Sequence, residues 1–370
     1  MRRLSHDLPV AAHGVEYRRV RRIPWHRLPS AAPYLSNRYD YFPRPRVDAM
    51  HFFNGICVAK IPWITSVEIE YPRYFGVVPQ RAFDEATERI ASSDCKLIMP
   101  LSNAARNHFL SSQDATARAV LAKKTFVFTG GVSIPPAALT AREQWRHSNR
   151  NEFVVGFVGR DYWRKGGPAV VAAVAQLRRD GANVRLVIVS SIEGASYISP
   201  RDAREVERTR AELAAVPWID LHENLVNDQV LAKMAACDAF AFPTLDESLG
   251  WVSIEAMGLG LPVVCSNVFA LPEIVEDGVT GLTIELPLDK DRRWRGIESL
   301  NPTPRPSFDD AIDQLTKGMV VAFARLIDSP ELCSRLGQAA RGRFLERYEQ
   351  HVAATRLASL LGTALCKTEP

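Results

Sequence analysis

Between residues 153 and 266 the chain alternates short apolar runs with helical patterns, and this alternation limits the possible folds most strongly. The run at 153–158 (FVVGFV) is almost continuously apolar, as expected of a parallel strand buried on both faces. In the next segment Val170, Val174 and Leu177 recur on one helical face, and Gly181 ends it. The pattern predicts a doubly wound parallel α/β sheet with right-handed crossovers. Further strands are predicted at 184–189, 218–222, 239–243 and 262–266, and helices at 202–215, 227–236 and 251–258.

The first 150 residues carry shorter elements. A helix is predicted at 83–92 with Phe83, Ala86 and Ile90 on its apolar face, and Ser102 is suited to cap a later helix. Residues 133–150 are polar and contain prolines, which indicates a linker. Strands are predicted at 47–53, 63–68, 96–99 and 125–128, a surface insertion at 286–306, and terminal helices at 307–327 and 330–361.

These elements predict three parts of the chain. An N-terminal domain covers 1–149 and a second domain covers 150–345. A C-terminal helix covers 346–370 and is expected to pack back on the first domain.

Composition narrows the class of protein. Of 370 residues, 46% are apolar and 24% charged, which excludes a disordered chain or a coiled coil. No apolar run approaches the ~18 residues of a spanning helix. The six scattered cysteines form no zinc spacing and no disulfide framework. We expect a cytoplasmic protein, at most peripherally bound to a membrane.

Charge is concentrated at the start of the chain, where residues 1–50 hold ten arginines against four acidic residues. One interpretation is a solvated basic surface. The other is attraction to anionic lipid or to a phosphate-bearing acceptor. No recognition-helix or RNP-type pattern accompanies the charge, so no nucleic acid partner is expected.

The most informative motif is PTLDESLGWVSIEAMGLGLPVVCS at 243–266. A predicted strand ends in a polar loop that presents Asp246, Glu247 and Ser248, and Gly250 allows close approach of the backbone before a helix begins. Ligands of α/β sheets bind outside the carboxyl ends of strands, and a helix N-terminus there suits phosphate. The carboxylates of Glu247 and Glu255 can accept hydrogen bonds from sugar or ribose hydroxyls. An ordinary helix with an acidic first turn is the alternative.

A second motif, GFVGRDYWRKGG at 156–167, follows the first strand of the second domain. Its loop carries Gly159, Arg160 and Lys165. Two cations on such a loop can neutralise a diphosphate without a metal ion, although a solvated pair is the alternative. The spacing is not GxGxxG, and no acidic residue stands where a dinucleotide ribose would bind, so an NAD-dependent oxidoreductase is disfavoured.

Together the two motifs resemble the C-terminal domain of the retaining GT-B glycosyltransferases of family 4, the glycosyl transferases group 1. That family has an Arg-x4-Lys loop, here Arg160 to Lys165, and an E-x7-E element, here Glu247 to Glu255. The stretches at 237–248, 260–266 and 271–282 resemble its neighbouring elements in the same order. The resemblance covers residues 153–285 well.

The resemblance implies a GT-B fold, in which two Rossmann-like domains face a cleft. Arg160 and Lys165 would hold the diphosphate of a UDP- or GDP-linked sugar. Backbone N–H groups of Ser248, Leu249 and Gly250 would face phosphate or sugar. Glu247 would contact the sugar hydroxyls and Glu255 the ribose. Transfer would retain the anomeric configuration, with no metal and no resident cofactor.

The front domain resembles the family less. VDAMHFFNG at 47–55 is similar to its D-x-x-H strand end, and Glu68 stands where the family commonly has an active-site histidine. His51, Asn54 and Glu68 are therefore predicted to line the acceptor side. The usual first strand and glycine-rich loop are not recognisable in 1–46, so the front domain is reduced or the chain starts late.

These observations predict a retaining glycosyltransferase that acts on a saccharide or lipid-linked acceptor in surface glycan or polysaccharide synthesis. The alternative is a non-catalytic nucleotide-sugar-binding or assembly subunit with a GT-B-like fold.

Overall fold

The computed structural model describes residues 8–20, 37–39, 46–74, 77–297 and 305–365. The chain divides into two compact units, the first formed by 1–131 with 350–370 and the second by 132–349. This division falls earlier in the chain than the predicted boundary at 149/150. Among the described residues, no helix is long and apolar enough to cross a membrane.

The described strands of the first unit are β1 Arg38–Tyr39, β2 Met50–Phe53, β3 Ile56–Cys57, β4 Trp63–Val67 and β5 Cys95–Pro100. Its helices are α1 Gln80–Ala91, α2 Asn103–Ser111 and α3 Ala115–Ala122, with a 3-10 turn at Val10–His13. Three strands form a parallel sheet with the order β2-β4-β5, and the short strands β1 and β3 form a parallel pair. Ser102 caps α2 by accepting a hydrogen bond from the N–H of Ala105, as predicted.

Both faces of the first unit's sheet are covered. On one face Trp63 and Ile98 pack with α1, α2 and α3. On the other face Leu97 and Met99 pack with the C-terminal helix Gln350–Leu365, which contributes Leu357 among others. The last helix of the chain therefore completes the core of the first unit.

Two predictions for the first unit need correction. Phe83 is 41% exposed, and the buried face of α1 is formed by Ala82, Ala86 and Ile90 instead. The helix begins at Gln80, and the ring of Phe83 packs edge-to-face against the ring of Tyr74. The predicted strand at 125–128 is not a full strand, although two of its N–H groups donate to carbonyls of β5.

The described strands of the second unit are β6 Phe153–Val158, β7 Val184–Val189, β8 Ile219–His222, β9 Ala239–Phe242, β10 Val263–Ser266 and β11 Gly281–Ile284. They form a six-stranded parallel sheet with the order β11-β10-β9-β6-β7-β8. The edge strand β11 has only four residues, GLTI, which is too short a pattern to be recognised from the sequence. The helices are α4 Pro136–His147, α5 Gly167–Arg179, α6 Ala203–Ala215, α7 Asn227–Ala235, α8 Trp251–Gly258, α9 Leu271–Ile274, α10 Arg305–Asp328 and α11 Pro330–Arg347.

The predicted insertion at 286–306 and the predicted helix at 330–361 both differ from the structure. Leu286 and Trp294 are buried, so the start of the insertion is anchored to the second unit, and residues 298–304 lie outside the described part. The helical segment breaks at Tyr348, where α11 ends and the chain returns to the first unit.

The predicted linker at 133–150 is wrong, because most of it forms α4. Arg142 on this helix is 8% exposed and donates to the carbonyls of Cys237 (2.5 Å) and Leu259 (3.1 Å). These carbonyls lie just past the ends of α7 and α8, where a helix leaves acceptors without partners. Burial, with the charge of Arg146 nearby, lowers the pKa of Arg142 to about 10, so the group stays charged at neutral pH.

We predict that Arg142→Met lowers the free energy of unfolding of the second unit by about 2–4 kcal/mol, since buried carbonyls left without donors cost roughly 1–3 kcal/mol each. Arg146→Met, on an exposed position of the same helix, is the matched control. Urea unfolding measures both. Equal midpoints for the two variants would show that the buried guanidinium contributes nothing.

Candidate functional site

The candidate site lies where the strand order of the second unit reverses. β6 is the first strand of this sheet, β7 and β8 extend it to one side, and β9, β10 and β11 extend it to the other. Phe157 of β6 lies beside Ala241 of β9, so the loops that leave these two strands begin side by side. Such a switch point is where open α/β sheets bind ligands.

The two loops are joined through their backbones. Gly166 has φ +77°, and any β-carbon there would collide with the carbonyl of Pro243. The N–H of Leu245 donates to the carbonyl of Arg164 (2.9 Å), and the Arg164 guanidinium donates to the carbonyl of Asp246 (2.9 Å). The loop before α5 and the loop before α8 therefore form one structural block.

Within this block Lys165 contacts Glu247, and both residues are among those that the sequence assigns to the donor site. The Lys165 Nζ lies 2.5 Å from the Glu247 Oε2, and the two side chains are only 10% and 15% exposed. The other carboxylate oxygen accepts the N–H groups of Ser248 (3.0 Å) and Leu249 (3.4 Å). These N–H groups, expected to face phosphate, are directed here to Glu247.

Two glycines make this arrangement possible. A β-carbon on Gly159 would lie 2.7 Å from the Cγ of Lys165, so the absent side chain leaves room for the lysine stem. Gly250 has φ +91° at the start of α8, and a β-carbon there would lie 2.7 Å from Leu271. Both positions were predicted as donor-site residues on sequence grounds.

The electrostatics of Glu247 reflect its partners. Burial alone raises the pKa of this carboxyl, but the charge and hydrogen bond of Lys165 outweigh burial, helped by the charge of Arg164. The pKa of Glu247 therefore lies below its ordinary value. At neutral pH the site holds an ionised carboxylate against a cation.

The two other charged residues predicted for the donor are Arg160, in the loop after β6, and Glu255, in α8. Arg160 is exposed after β6, and its guanidinium forms no ion pair with any residue that the structure describes. Glu255 lies in the second turn of α8 and is 2% exposed. In the described ranges, no group of three or more His, Cys, Asp or Glu side chains is arranged to hold a metal ion.

Sequence reasoning places Asp246 in the polar loop but gives it no role, and it misses the polar residues around it. Asp246 accepts a hydrogen bond from Tyr197, and its carboxylate lies 3.7 Å from the Arg293 guanidinium. Arg164 stands next to Lys165 within its motif, which is the one local signal for it. Tyr197 and Arg293 are distant in sequence and carry no local signal.

The predicted acceptor residues lie in the first unit, where His51 is within β2 and Asn54 and Glu68 directly follow β2 and β4. Asn54 and Glu68 bond reciprocally: the Asn54 Nδ2 donates to Glu68 (3.0 Å), and the Glu68 N–H donates to Asn54 (2.9 Å). Arg73 pairs with the same carboxylate at 2.7 Å. His51 lies between the hydroxyls of Tyr17 (2.8 Å) and Ser66 (3.0 Å).

We predict that Glu247→Gln destabilises the protein at pH 7, and that the loss shrinks as pH falls. A carboxyl with a depressed folded-state pKa contributes fully above its unfolded pKa of about 4.3 and loses that contribution as pH falls through the folded value. Urea unfolding between pH 7 and 3 measures the difference. Glu212→Gln, which removes an exposed carboxylate 3.8 Å from Arg208, is the control and should change little. A penalty that persists undiminished at pH 3 would contradict the assignment.

The segment that carries this site is similar to known sugar transferases. Residues 152–292 match the model of the family described as Glycosyl transferases group 1. A D-inositol 3-phosphate glycosyltransferase of Segniliparus rotundus is 34% identical over 135 residues, which cover 36% of this chain and 29% of that protein. An alpha-maltose-1-phosphate synthase of Mycobacterium tuberculosis is 31% identical over 196 residues, or 52% and 43% of the two chains. The chain thus spans less than half the length of these curated relatives.

The fold is similar to that of a solved glycosyltransferase of Rickettsia africae, with a TM-score of 0.57 at 15% identity over 83% of this chain and 71% of that one. The crystal structure of HepE from Anabaena in complex with UDP and glucose superposes with a TM-score of 0.57 at 19% identity, over 82% of this chain and 72% of that one. This likeness and the parallel sheets confirm the predicted α/β fold of GT-B type. The segment that carries the Lys165 and Glu247 loops is the one that matches the glycosyltransferase family.

Proposed function

We propose that this protein is a retaining glycosyltransferase that moves a sugar from a nucleotide-diphosphate sugar to a saccharide or lipid-linked acceptor. The observation that carries the proposal is the Lys165–Glu247 contact at the switch point, beside the N-terminus of α8. A buried cation suits a diphosphate, and a carboxylate beside it suits sugar hydroxyls. The family match over 152–292 supports this assignment.

The donor would be a UDP- or GDP-linked sugar. HepE of Anabaena was crystallised with UDP and glucose, which makes UDP the first nucleotide to test. Lys165 and the exposed Arg160 would neutralise the diphosphate, so that neither a metal ion nor a resident cofactor is needed. Glu247 would hold the sugar hydroxyls and Glu255 the ribose. The backbone at Gly159 and Gly250 would approach the phosphates, whereas the N–H groups of Ser248 and Leu249 would orient the Glu247 carboxylate.

The proposed reaction transfers the sugar on one face of the ring. The bond between the anomeric carbon and the diphosphate oxygen breaks, and its electron pair leaves with the diphosphate. The acceptor oxygen bonds to the anomeric carbon on the same face, and its proton passes to the leaving diphosphate. Lys165 and Arg160 stabilise the charge that develops on the leaving group, where preorganised cations are most effective.

The binding arm of the test uses UDP, GDP, ADP and CMP in a thermal-shift panel, since a ligand at ~100 times its Kd adds ~2.7 kcal/mol of stability. We expect Lys165→Ala to weaken binding of the best diphosphate by ~1.5–3 kcal/mol, the range of charge-assisted hydrogen bonds, and to leave its nucleoside unaffected. Lys233→Ala, which removes a surface lysine paired with Asp220, is the control. Equal losses for nucleoside and diphosphate would refute the assignment.

The turnover arm separates an enzyme from a non-catalytic binding subunit. We expect release of sugar from the donor in the presence of EDTA, and a kcat reduced roughly a hundredfold in Glu247→Ala, since sugar contacts tighten as the bond breaks. Glu255→Gln should chiefly raise the KM for the donor. Full turnover in Glu247→Ala, or a strict need for Mg²⁺ or Mn²⁺, would count against the proposed site. Tight nucleotide binding without turnover would favour the binding subunit.

The alternative of a non-catalytic binding subunit is favoured by the small size of the main sheet in the first unit. Among the described residues that sheet has three strands, whereas the sheet of the second unit has six. The proposed enzyme would use His51, Asn54 and Glu68 toward its acceptor, in the synthesis of a surface glycan or polysaccharide in the cytoplasm.

Peripheral binding to an anionic membrane would bring the protein close to a lipid-linked acceptor. Within the basic first fifty residues, Arg18 pairs with Glu16 and Arg38 with Glu85, and most of the other arginines lie outside the described residues. Co-sedimentation with anionic vesicles tests this association. We expect binding at low salt and less binding as the salt concentration rises.

A further inference from the structure

Asp246, the residue before Glu247, is held at both its side chain and its backbone. Its carboxylate accepts a hydrogen bond from the Tyr197 hydroxyl and lies 3.7 Å from the Arg293 guanidinium. Its carbonyl accepts from Arg164 (2.9 Å) and from the hydroxyl of Thr244 (2.8 Å). With 8% of its surface exposed, Asp246 is a nearly buried carboxylate whose partners are all in place.

The partners of Asp246 come from different loops of the second unit. Arg164 follows β6, Tyr197 follows β7 and Arg293 follows β11. Because all strands of this sheet are parallel, these loops leave the same edge. The Arg164 guanidinium also lies over the Tyr197 ring at 5.6 Å and is itself fixed by Asp161 at 2.9 Å. Three loops are thus tied to the residue that precedes the proposed sugar-binding carboxylate.

The chemistry of these contacts favours a fixed arrangement. Burial, together with the charge and hydrogen bond of Asp246, raises the pKa of Tyr197, so its hydroxyl remains a donor at physiological pH. Removing one partner of a buried carboxylate leaves charge without compensation, which is costly. Asp246 is therefore kept in one position. Because Glu247 is the next residue, the position of its backbone nitrogen is fixed as well.

Glu247 is held from the other side as well. Its carboxylate accepts the N–H groups of Ser248 and Leu249 and the ammonium group of Lys165. Asp246 holds the backbone before Glu247, and the N–H groups after it hold the carboxylate. A side chain placed in this way loses little entropy when it engages a hydroxyl, and precise placement of such groups strongly affects rate.

We propose that Asp246 and Tyr197 are positioning residues for Glu247, which they align through the loop backbone for contact with the sugar of a nucleotide-sugar donor. The inference rests on the proposed function, and it adds the loop after β7 to the parts of the chain that set transfer rate. Neither residue needs to touch the donor.

A double-mutant cycle tests this inference with UDP-glucose hydrolysis as the measured reaction and UDP as the binding probe. Tyr197→Phe keeps the ring over Arg164 and removes only the hydroxyl. We expect it to lower kcat about tenfold, to leave the Kd for UDP within twofold, and to lower kcat less than twofold when Glu247→Ala is already present. Tyr74→Phe, which removes a hydroxyl bonded to the Ala82 carbonyl in the first unit, is the matched control.

Variants of Asp246 separate positioning from folding. Asp246→Asn keeps an acceptor oxygen for Tyr197 and should retain at least a third of the wild-type kcat, whereas Asp246→Ala should match or exceed the loss in Tyr197→Phe. A tenfold loss in both the wild-type and Glu247→Ala backgrounds, or an equal loss of UDP affinity, would overturn the inference alone. A wild-type protein that neither binds UDP nor hydrolyses UDP-glucose, and binds no other nucleotide of the panel, would overturn the proposed function and the inference with it.

Discussion

The carboxyl ends of β6 and β9 lie next to each other because strands are added first on one side of β6 and then on the other. The crossover helices α5 and α8 start after these two strand ends, and open α/β sheets bind ligands outside the strand ends where the strand order reverses. Every other feature of the candidate site depends on this reversal. Gly166 lets the first loop pass against the Pro243 carbonyl, and Gly159 leaves the space that the Lys165 stem crosses.

Burial then determines which charged side chains can lie next to each other at the candidate site. Lys165 and Glu247 are each mostly removed from water, and either one alone would carry a desolvation cost that its partner offsets. Arg293 lies 3.7 Å from the Asp246 carboxylate, and Arg164, from the same loop as Lys165, donates to the Asp246 carbonyl. The carboxylates at 246 and 247 are neighbours in sequence, and each has its own cation, which comes from the loop after β11 for Asp246 and from the loop after β6 for Glu247.

Local patterns were sufficient to predict β6, β7 and α8, whose bounds match the structure, and the approximate limits of the other strands of the second sheet except β11. These elements have apolar runs or periodic faces with glycine or proline at their ends. Lys165 and Glu247 belong to two separate motifs, and each can be singled out from the sequence because it follows a strand that is recognisable. The face of α1 was misjudged because Ala82 is small and Phe83 is large, although tertiary packing buries the alanine.

What the sequence could not show depends on contacts between distant residues. The sequence of α4 predicts a linker because its prolines and charges are typical of loops. One of those charges, Arg142, is buried because helix ends from elsewhere in the chain supply four carbonyls around it. Tyr197 was overlooked for the same reason, since its partner lies 49 residues away.

The C-terminal helix has a consequence for the order in which the protein is made. The first unit needs Leu357 and its neighbours to cover one face of the sheet that contains Leu97 and Met99. During synthesis these residues emerge only after the whole second unit has left the ribosome. Domains generally fold as units while the chain grows, N-terminal first. Here the order is inverted: the second unit can complete its core while the first still exposes an apolar face, which makes the nascent first unit the segment most in need of chaperone protection.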